Sequence, residues 1–159
     1  MTNTLAALPP APARRWMSTG LIFTLAVIFL SLAATAPTFT LIGRLLVAAL
    51  GLSALWVALI SLRSHHLGLV LTDQGLHDSD GQMIARVEDM HSVDRSAFAF
   101  KPSNGFMLRL NTPAPRRWVP GLYWSIGDRL AIGGATNPAD TRTLADKIAF
   151  LLAEQQTNP

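Results

Sequence analysis

The stretch 116–124 holds the side chains best suited to bind another molecule, and it reads Arg-Arg-Trp-Val-Pro-Gly-Leu-Tyr-Trp. Arg109 and Arg129 flank it. Guanidinium groups and amphipathic aromatic rings are enriched at protein interfaces and at membrane surfaces. The predicted contact surface consists of Arg116, Arg117, Trp118, Tyr123 and Trp124. The alternative is that Trp118 and Trp124 point into a sheet core while the arginines are solvated at strand ends.

The acidic residues around Gly81 do not have the pattern of a calcium loop. If Gly81 takes the sixth position, Leu76 takes the first and Val87 the last, so both key carboxylates are missing. Asp80 and Gly81 instead predict a tight two-residue hairpin turn.

The remaining polar residues lack the spacing of a catalytic or metal site. His65 and His66 are adjacent and point apart, and His77 and His91 follow at no metal-ligand spacing. Residues 91–94 include the residue types of a catalytic triad, but triad members converge from separate elements. The chain has no cysteine, which excludes thiolate metal sites and cysteine catalysis. We therefore predict no enzyme activity, no cofactor and no metal.

Apolar residues are concentrated in the first part of the chain. The 159 residues are 50% apolar, with a mean hydropathy of +0.32. Between residues 16 and 62, 33 of 47 residues are apolar, against 39 of 96 from 64 to 159. This division predicts a membrane segment followed by a soluble domain. The second part holds nine basic and ten acidic residues, so nucleic-acid binding is not predicted.

Two uncharged runs predict a transmembrane hairpin over residues 16–63, with spans of about 16–36 and 42–62. Pro37 breaks the helix between them. Residues 1–15 are predicted to be a disordered leader, because the first 13 contain three prolines and no charge. The second span carries small residues that let another helix approach closely, and the first span is the expected occupant. These small residues are Ala48, Gly51, Ala54 and Ala58.

The flanking charges predict the orientation of this hairpin. Arg14, Arg15 and Arg63 lie on one side and Arg44 on the other. Because basic residues favour the cytoplasmic side, we expect a multi-pass protein of the cell (inner) membrane with both termini in the cytoplasm. The alternative is a signal peptide cleaved after residues 34–36, which would still leave the second part of the chain in the cytoplasm.

Residues 64–159 predict a β-rich domain that ends in one helix. About seven short strands are expected, separated by turn residues. The eight candidate segments for them are 67–72, 76–78, 83–87, 93–100, 106–110, 117–119, 123–125 and 130–132. Asn137 and Pro138 predict the start of a helix that ends near Gln155.

From about residue 67 to residue 153 the chain resembles the bacterial pleckstrin-homology-like domains that follow a transmembrane hairpin in small membrane proteins. The resemblance lies in Leu71-Thr72 to Gly75-Leu76, in the stretch 84–93 with Glu88-Asp89-Met90, in the strand 127–134 and in the closing helix. It implies an α+β fold, in which a strongly bent antiparallel sheet or barrel of about seven strands is plugged by the helix. It implies no particular activity.

Two functions fit these predictions. In the first, a non-enzymatic membrane protein uses its tethered domain as an interaction module at the inner membrane surface, with a protein or anionic lipid headgroups as the partner. In the second, the chain is a small accessory or assembly subunit of a larger membrane complex and binds through its hairpin. Replacing Arg116 and Arg117 with alanine distinguishes them, because only the first function depends on these side chains.

Overall fold

The computed structural model describes residues 4–95 and 102–157, and of residues 156 and 157 only the backbone. This part of the chain is α+β, with three helices and two antiparallel sheets of four and three strands. It forms two compact units. The helical unit is Ala13–His65, and the sheet unit combines Met1–Pro12 with His66–Pro159.

Two apolar helices form the helical unit. Helix α1 covers Pro12–Thr35 and helix α2 covers Leu41–Arg63. Each is long and apolar enough to cross a membrane, in agreement with the two predicted spans. The Thr40 hydroxyl caps α2 by accepting a hydrogen bond from the Gly43 N–H at 3.2 Å.

Small residues allow α1 and α2 to pack closely. A Cβ atom added at Gly51 would lie 2.8 Å from Leu30 Cγ, so a larger residue would push the helices apart. Ala26 on α1 and Ala58 on α2 are fully buried. The first helix therefore occupies the small-residue stripe of the second, as predicted.

The N-terminal segment forms a strand, which corrects the prediction of a disordered leader. Strand β1, Thr4–Leu8, pairs antiparallel with strand β2, Leu69–Thr72. Leu8 lies opposite Leu69, and both are buried in the hydrophobic core. Local composition misses this strand because it is stabilised by hydrogen bonds and apolar contacts with β2, which follows both helices in the sequence.

The first sheet has the order β1-β2-β3-β4, in which β3 covers Gly75–Asp78 and β4 covers Met83–Arg86. A turn joins β3 to β4 at the predicted place, but it is longer than the predicted two-residue turn. The Asp78 N–H donates to the Gln82 carbonyl at 2.9 Å, which leaves residues 79–81 in the loop. Gly81 has a φ of +81°, and the Gln82 N–H donates to Asp78 Oδ1 at 2.7 Å.

The second sheet follows a short 3₁₀ turn and has the order β5-β6-β7. Its strands are Met90–Asp94, Phe106–Val119 and Tyr123–Ile132. The sequence divided β6 and β7 into four shorter strands, and the register of the pair does shift on both sides of Ala114. Most of the predicted strand 93–100 lies outside the described residues.

Strand β7 bends back on itself. The ends of a straight ten-residue strand are about 30 Å apart. Here the Gly133 N–H, just after β7, donates to the Leu122 carbonyl, just before it, at 2.9 Å. Gly127, within the strand, has a φ of +61°, a conformation that glycine adopts without strain. The β6–β7 hairpin is therefore strongly bent.

Helix α3, Pro138–Thr157, ends the sheet unit. Asn137 Oδ1 accepts a hydrogen bond from the Ala139 N–H at 3.2 Å, so the predicted helix start is confirmed. The helix packs against β1 and β5. Its buried residues join side chains of both sheets in one core, and they include Leu144, Ile148 and Leu152.

Candidate functional site

The turn between β6 and β7 places the predicted contact residues on two faces of the hairpin. Trp118 lies opposite Trp124, and Val119 lies opposite Tyr123. Because neighbouring residues of a strand point to opposite faces, Trp118 and Trp124 share a face that Tyr123 does not. Trp118 is 48% exposed, Trp124 is half-buried and Tyr123 is only 3% exposed. Trp118 is therefore a surface residue, whereas Tyr123 belongs to the core.

Two more exposed residues adjoin these tryptophans. Ile126, two positions beyond Trp124 on β7, is 54% exposed, and Arg116 on β6 is also exposed. We name Arg116, Trp118, Trp124 and Ile126 the arginine–tryptophan face. It combines an apolar surface with a guanidinium group, which suits either a protein partner or a lipid headgroup region.

Arg117 holds the hairpin in position instead of facing outward. Its Nη2 donates to Gln82 Oε1 in the β3–β4 turn, and its backbone N–H donates to Ser125 Oγ at 3.1 Å. Burial raises the pKa of the Tyr123 hydroxyl and Asp78 raises it further, whereas Arg117 opposes both effects. The hydroxyl therefore stays protonated at neutral pH. Arg117 and Tyr123 stabilise the hairpin and are not part of the arginine–tryptophan face.

The β6–β7 hairpin is basic although the rest of residues 64–159 is acidic. Residues 106–132 contain four arginines and one aspartate, whereas the remainder of residues 64–159 contains five basic and nine acidic side chains. Arg109 lies directly opposite Arg129 in the sheet. Like charges that lie directly opposite each other destabilise a strand pair. Such a concentration of positive charge complements an anionic partner.

A second polar cluster lies in the helical unit, where the sequence indicated only a flanking charge. Arg15 is 2% exposed, and its Nη1 donates to the Ser64 carbonyl at 2.8 Å and to the His65 carbonyl at 3.4 Å. Arg15 thus caps the C-terminal end of α2 from α1. Arg15, Thr19 and Ala26 are four and seven residues apart, the spacing of one helix face. This spacing is the sequence signal that could have placed Arg15 on the side of α1 that packs against α2.

Hydroxyl and imidazole groups complete this cluster. Thr19 Oγ1 lies 2.8 Å from Ser61 Oγ and 3.0 Å from His65 Nε2. The ring of Trp16 meets His65 edge-on at a centroid distance of 4.6 Å. Burial, followed by the positive charge of Arg15, lowers the pKa of His65, so this imidazole is neutral at neutral pH.

Three nitrogen atoms of the cluster have no hydrogen-bond partner among the described residues. They are Arg15 Nε, Arg15 Nη2 and His65 Nδ1, and all three are shielded from solvent. Among those same residues, no group of three His, Asp or Glu side chains is close enough to hold a metal ion.

Comparison with family models, curated proteins and solved structures finds no match to the chain. Its function is therefore inferred from its own geometry and charge.

Proposed function

We propose that the chain is a non-enzymatic integral membrane protein whose sheet unit is an interaction module at the inner surface of a bacterial membrane. The arginine–tryptophan face binds anionic lipid headgroups there. The observation that carries this proposal is the half-exposed Trp118 on a hairpin that holds four of the arginines. Tryptophan and arginine together are suited to the boundary between lipid and water.

The pairing of β1 with β2 supports the membrane topology. Leu8 precedes both apolar helices and Leu69 follows them, yet the two residues are neighbours in one sheet. A chain that crosses a membrane between these residues must return to the side from which it started. Arg14, Arg15 and Arg63 then favour the cytoplasm for that side. Reporter fusions at both termini test this topology, and an active periplasmic reporter at either end contradicts it.

The bent second sheet supports the resemblance to pleckstrin-homology-like domains. Such a domain needs a strongly curved antiparallel sheet with a helix across one end. Strand β7 has the required bend, and α3 packs against strands of both sheets. Closure of the two sheets into one barrel is part of the proposal.

Charge favours the β6–β7 hairpin over the β3–β4 hairpin as the lipid-binding element. The β3–β4 hairpin carries the buried Asp78 at the end of β3 and the exposed Asp80 in the turn, and an anionic surface repels both charges. Each basic residue near such a surface contributes about 1 kcal/mol, and the hairpin can bring Arg109, Arg116 and Arg129 toward it. A total of about 3 kcal/mol cannot anchor a free protein firmly, but it orients a domain that is already tethered.

The absence of cysteine from the chain allows a direct test with a single fluorescent label. The full chain carrying Ile126→Cys is labelled with an environment-sensitive dye and reconstituted into phosphatidylglycerol or phosphatidylcholine vesicles. We expect a blue shift of the emission in phosphatidylglycerol only, which Arg116→Ala reduces. A label at Glu154→Cys, on the exposed side of α3, is the control and should give the same emission in both lipids. An emission at Ile126→Cys that is the same in both lipids contradicts lipid contact.

The alternative is an accessory subunit that binds a larger complex through its helices. Large apolar side chains are exposed on both helices, including Leu21, Leu45 and Trp56. Because α1 already occupies the small-residue stripe of α2, a partner helix would have to use these outer faces. Membrane capture of a complex that survives Arg116→Ala but not substitutions on the outer faces would favour this function.

A further inference from the structure

The guanidinium of Arg15 uses one nitrogen and leaves one complete edge unpaired. Nη1 donates to the two carbonyl groups at the end of α2, whereas Nε and Nη2 have no partner among the described residues. The N–H bonds of Nε and Nη2 lie side by side and point in the same direction. This edge matches two oxygen atoms of a phosphate or carboxylate group, as in bidentate arginine pairs.

A buried guanidinium with an unpaired edge calls for an anion. Buried polar groups in folded proteins nearly always have hydrogen-bond partners, and an unpaired buried charge is strongly unfavourable. The first 63 residues contain neither aspartate nor glutamate, so α1 and α2 cannot supply a carboxylate. The partner of the Arg15 edge must come from elsewhere.

We infer that Arg15 is the centre of a phosphate-binding site at one end of the helical unit and that its ligand is the phosphate of an anionic phospholipid. This inference rests on the membrane placement under the proposed function. Trp16 is 59% exposed and lies against His65, as expected for a ring at headgroup depth. Because the Arg15 edge is shielded from solvent, neighbouring side chains must shift to admit the phosphate. His65 Nδ1, also unpartnered, is a further polar atom in the same cluster.

Lipid retention by the full chain tests this site. The protein is purified in detergent from phosphatidylglycerol-containing membranes, and native mass spectrometry counts the bound lipid. We expect the wild type to retain phosphatidylglycerol and Arg15→Lys to retain it at least about tenfold less, because lysine keeps the charge but lacks the paired N–H edge. Arg14→Lys is the matched control and should retain lipid like the wild type. Equal retention by all three proteins, or equal loss in both variants, overturns the inference.

Comparing ligands on the wild type alone keeps the test independent of whether Arg15→Lys folds. Phosphatidylglycerol should be retained, whereas a neutral galactolipid with the same acyl chains should not. Equal retention of both lipids overturns the site. Inorganic phosphate that displaces the lipid and stays bound assigns the site to free phosphate and overturns the lipid source.

Extraction with alkaline carbonate separates this inference from the proposed function. A chain that resists extraction but shows no preference for the phosphate lipid overturns the Arg15 site and leaves the membrane placement standing. A chain released by carbonate is not an integral membrane protein, and it is the proposed function that then fails.

Discussion

The tripeptide Arg-Arg-Trp occurs twice in the chain, at residues 14–16 in α1 and at residues 116–118 in β6. In both copies the second arginine donates to an oxygen of another element. Arg15 binds the Ser64 carbonyl, and Arg117 binds the Gln82 side chain. The tryptophan is exposed in both copies, at 59% and 48%. In both copies, therefore, the second arginine holds the segment in place and the tryptophan is exposed.

The two copies differ in what the first arginine and the tryptophan can reach together. Residues two apart point to the same side of a strand, because each step turns the side chain by about 180°. Each step along a helix turns it by about 100°, so residues two apart point in nearly opposite directions. Arg116 and Trp118 can thus contact one partner surface, whereas Arg14 and Trp16 cannot. The backbone conformation decides whether this tripeptide forms a contact face.

The largest effect is expected when the helical unit, which contains the first copy, is removed. We expect a chain that joins residues 1–11 to 66–159 through a short glycine–serine linker to fold with native β content. Residues 64–159 alone should not fold, because β2 loses its partner strand and the core loses Leu8. Truncation of one buried leucine already costs about 2–5 kcal/mol. Circular dichroism and thermal unfolding of both chains decide the matter, and equal stability would show that β1 is dispensable.

Aromatic substitutions in the linked sheet unit give the next largest effect. Tyr123→Ala should lower the free energy of unfolding by about 3–5 kcal/mol, because the ring is in the core. Trp118→Ala should lower it by less, about 1–2 kcal/mol, because about half of this side chain is exposed. Urea unfolding measures both. A large loss of stability in Trp118→Ala would return this tryptophan to the core and remove it from the contact face.

The paired arginines of the second copy should separate stability from binding. Arg117→Ala should cost about 1 kcal/mol of unfolding free energy, because it breaks the link to Gln82. Arg116→Ala should change stability by less than about 0.5 kcal/mol but weaken the contact of the tethered domain with anionic lipid. Urea unfolding of the linked sheet unit measures the first effect, and the dye emission of the reconstituted full chain labelled at Ile126→Cys measures the second. If Arg116→Ala lowered stability and Arg117→Ala weakened lipid contact instead, the two assigned roles would be wrong.

A pH effect in the first copy is the smallest that we expect. Since the pKa of His65 is lowered in the folded chain, the unfolded chain binds a proton more readily. The contribution of neutral His65 is fully present above about pH 6.5 and is lost as the pH falls below that value. Thermal unfolding of the full chain in detergent should therefore show a mild loss of stability in acid. His65→Gln, which cannot titrate, should lose less.

Features set by neighbouring residues were predictable from the sequence. The lengths of the two apolar runs depend only on consecutive side chains, and so does the break at Pro37. The same holds for the turn at Gly81 and the helix start at Asn137, where a side chain bonds to backbone within a few residues. The arginine-rich stretch 116–124 was also visible, but not the face to which each of its side chains points.

Only the tertiary structure decided the role of residues that depend on distant partners. The segment Thr4–Leu8 is a strand because β2 lies beside it. The register of β6 with β7 shifts at Ala114, and this register places Tyr123 inside and Trp118 outside. Arg15 is buried and Arg14 is exposed because α2 packs against only one side of α1. In each case the stabilising contacts join residues far apart in the sequence, so no local pattern contains them.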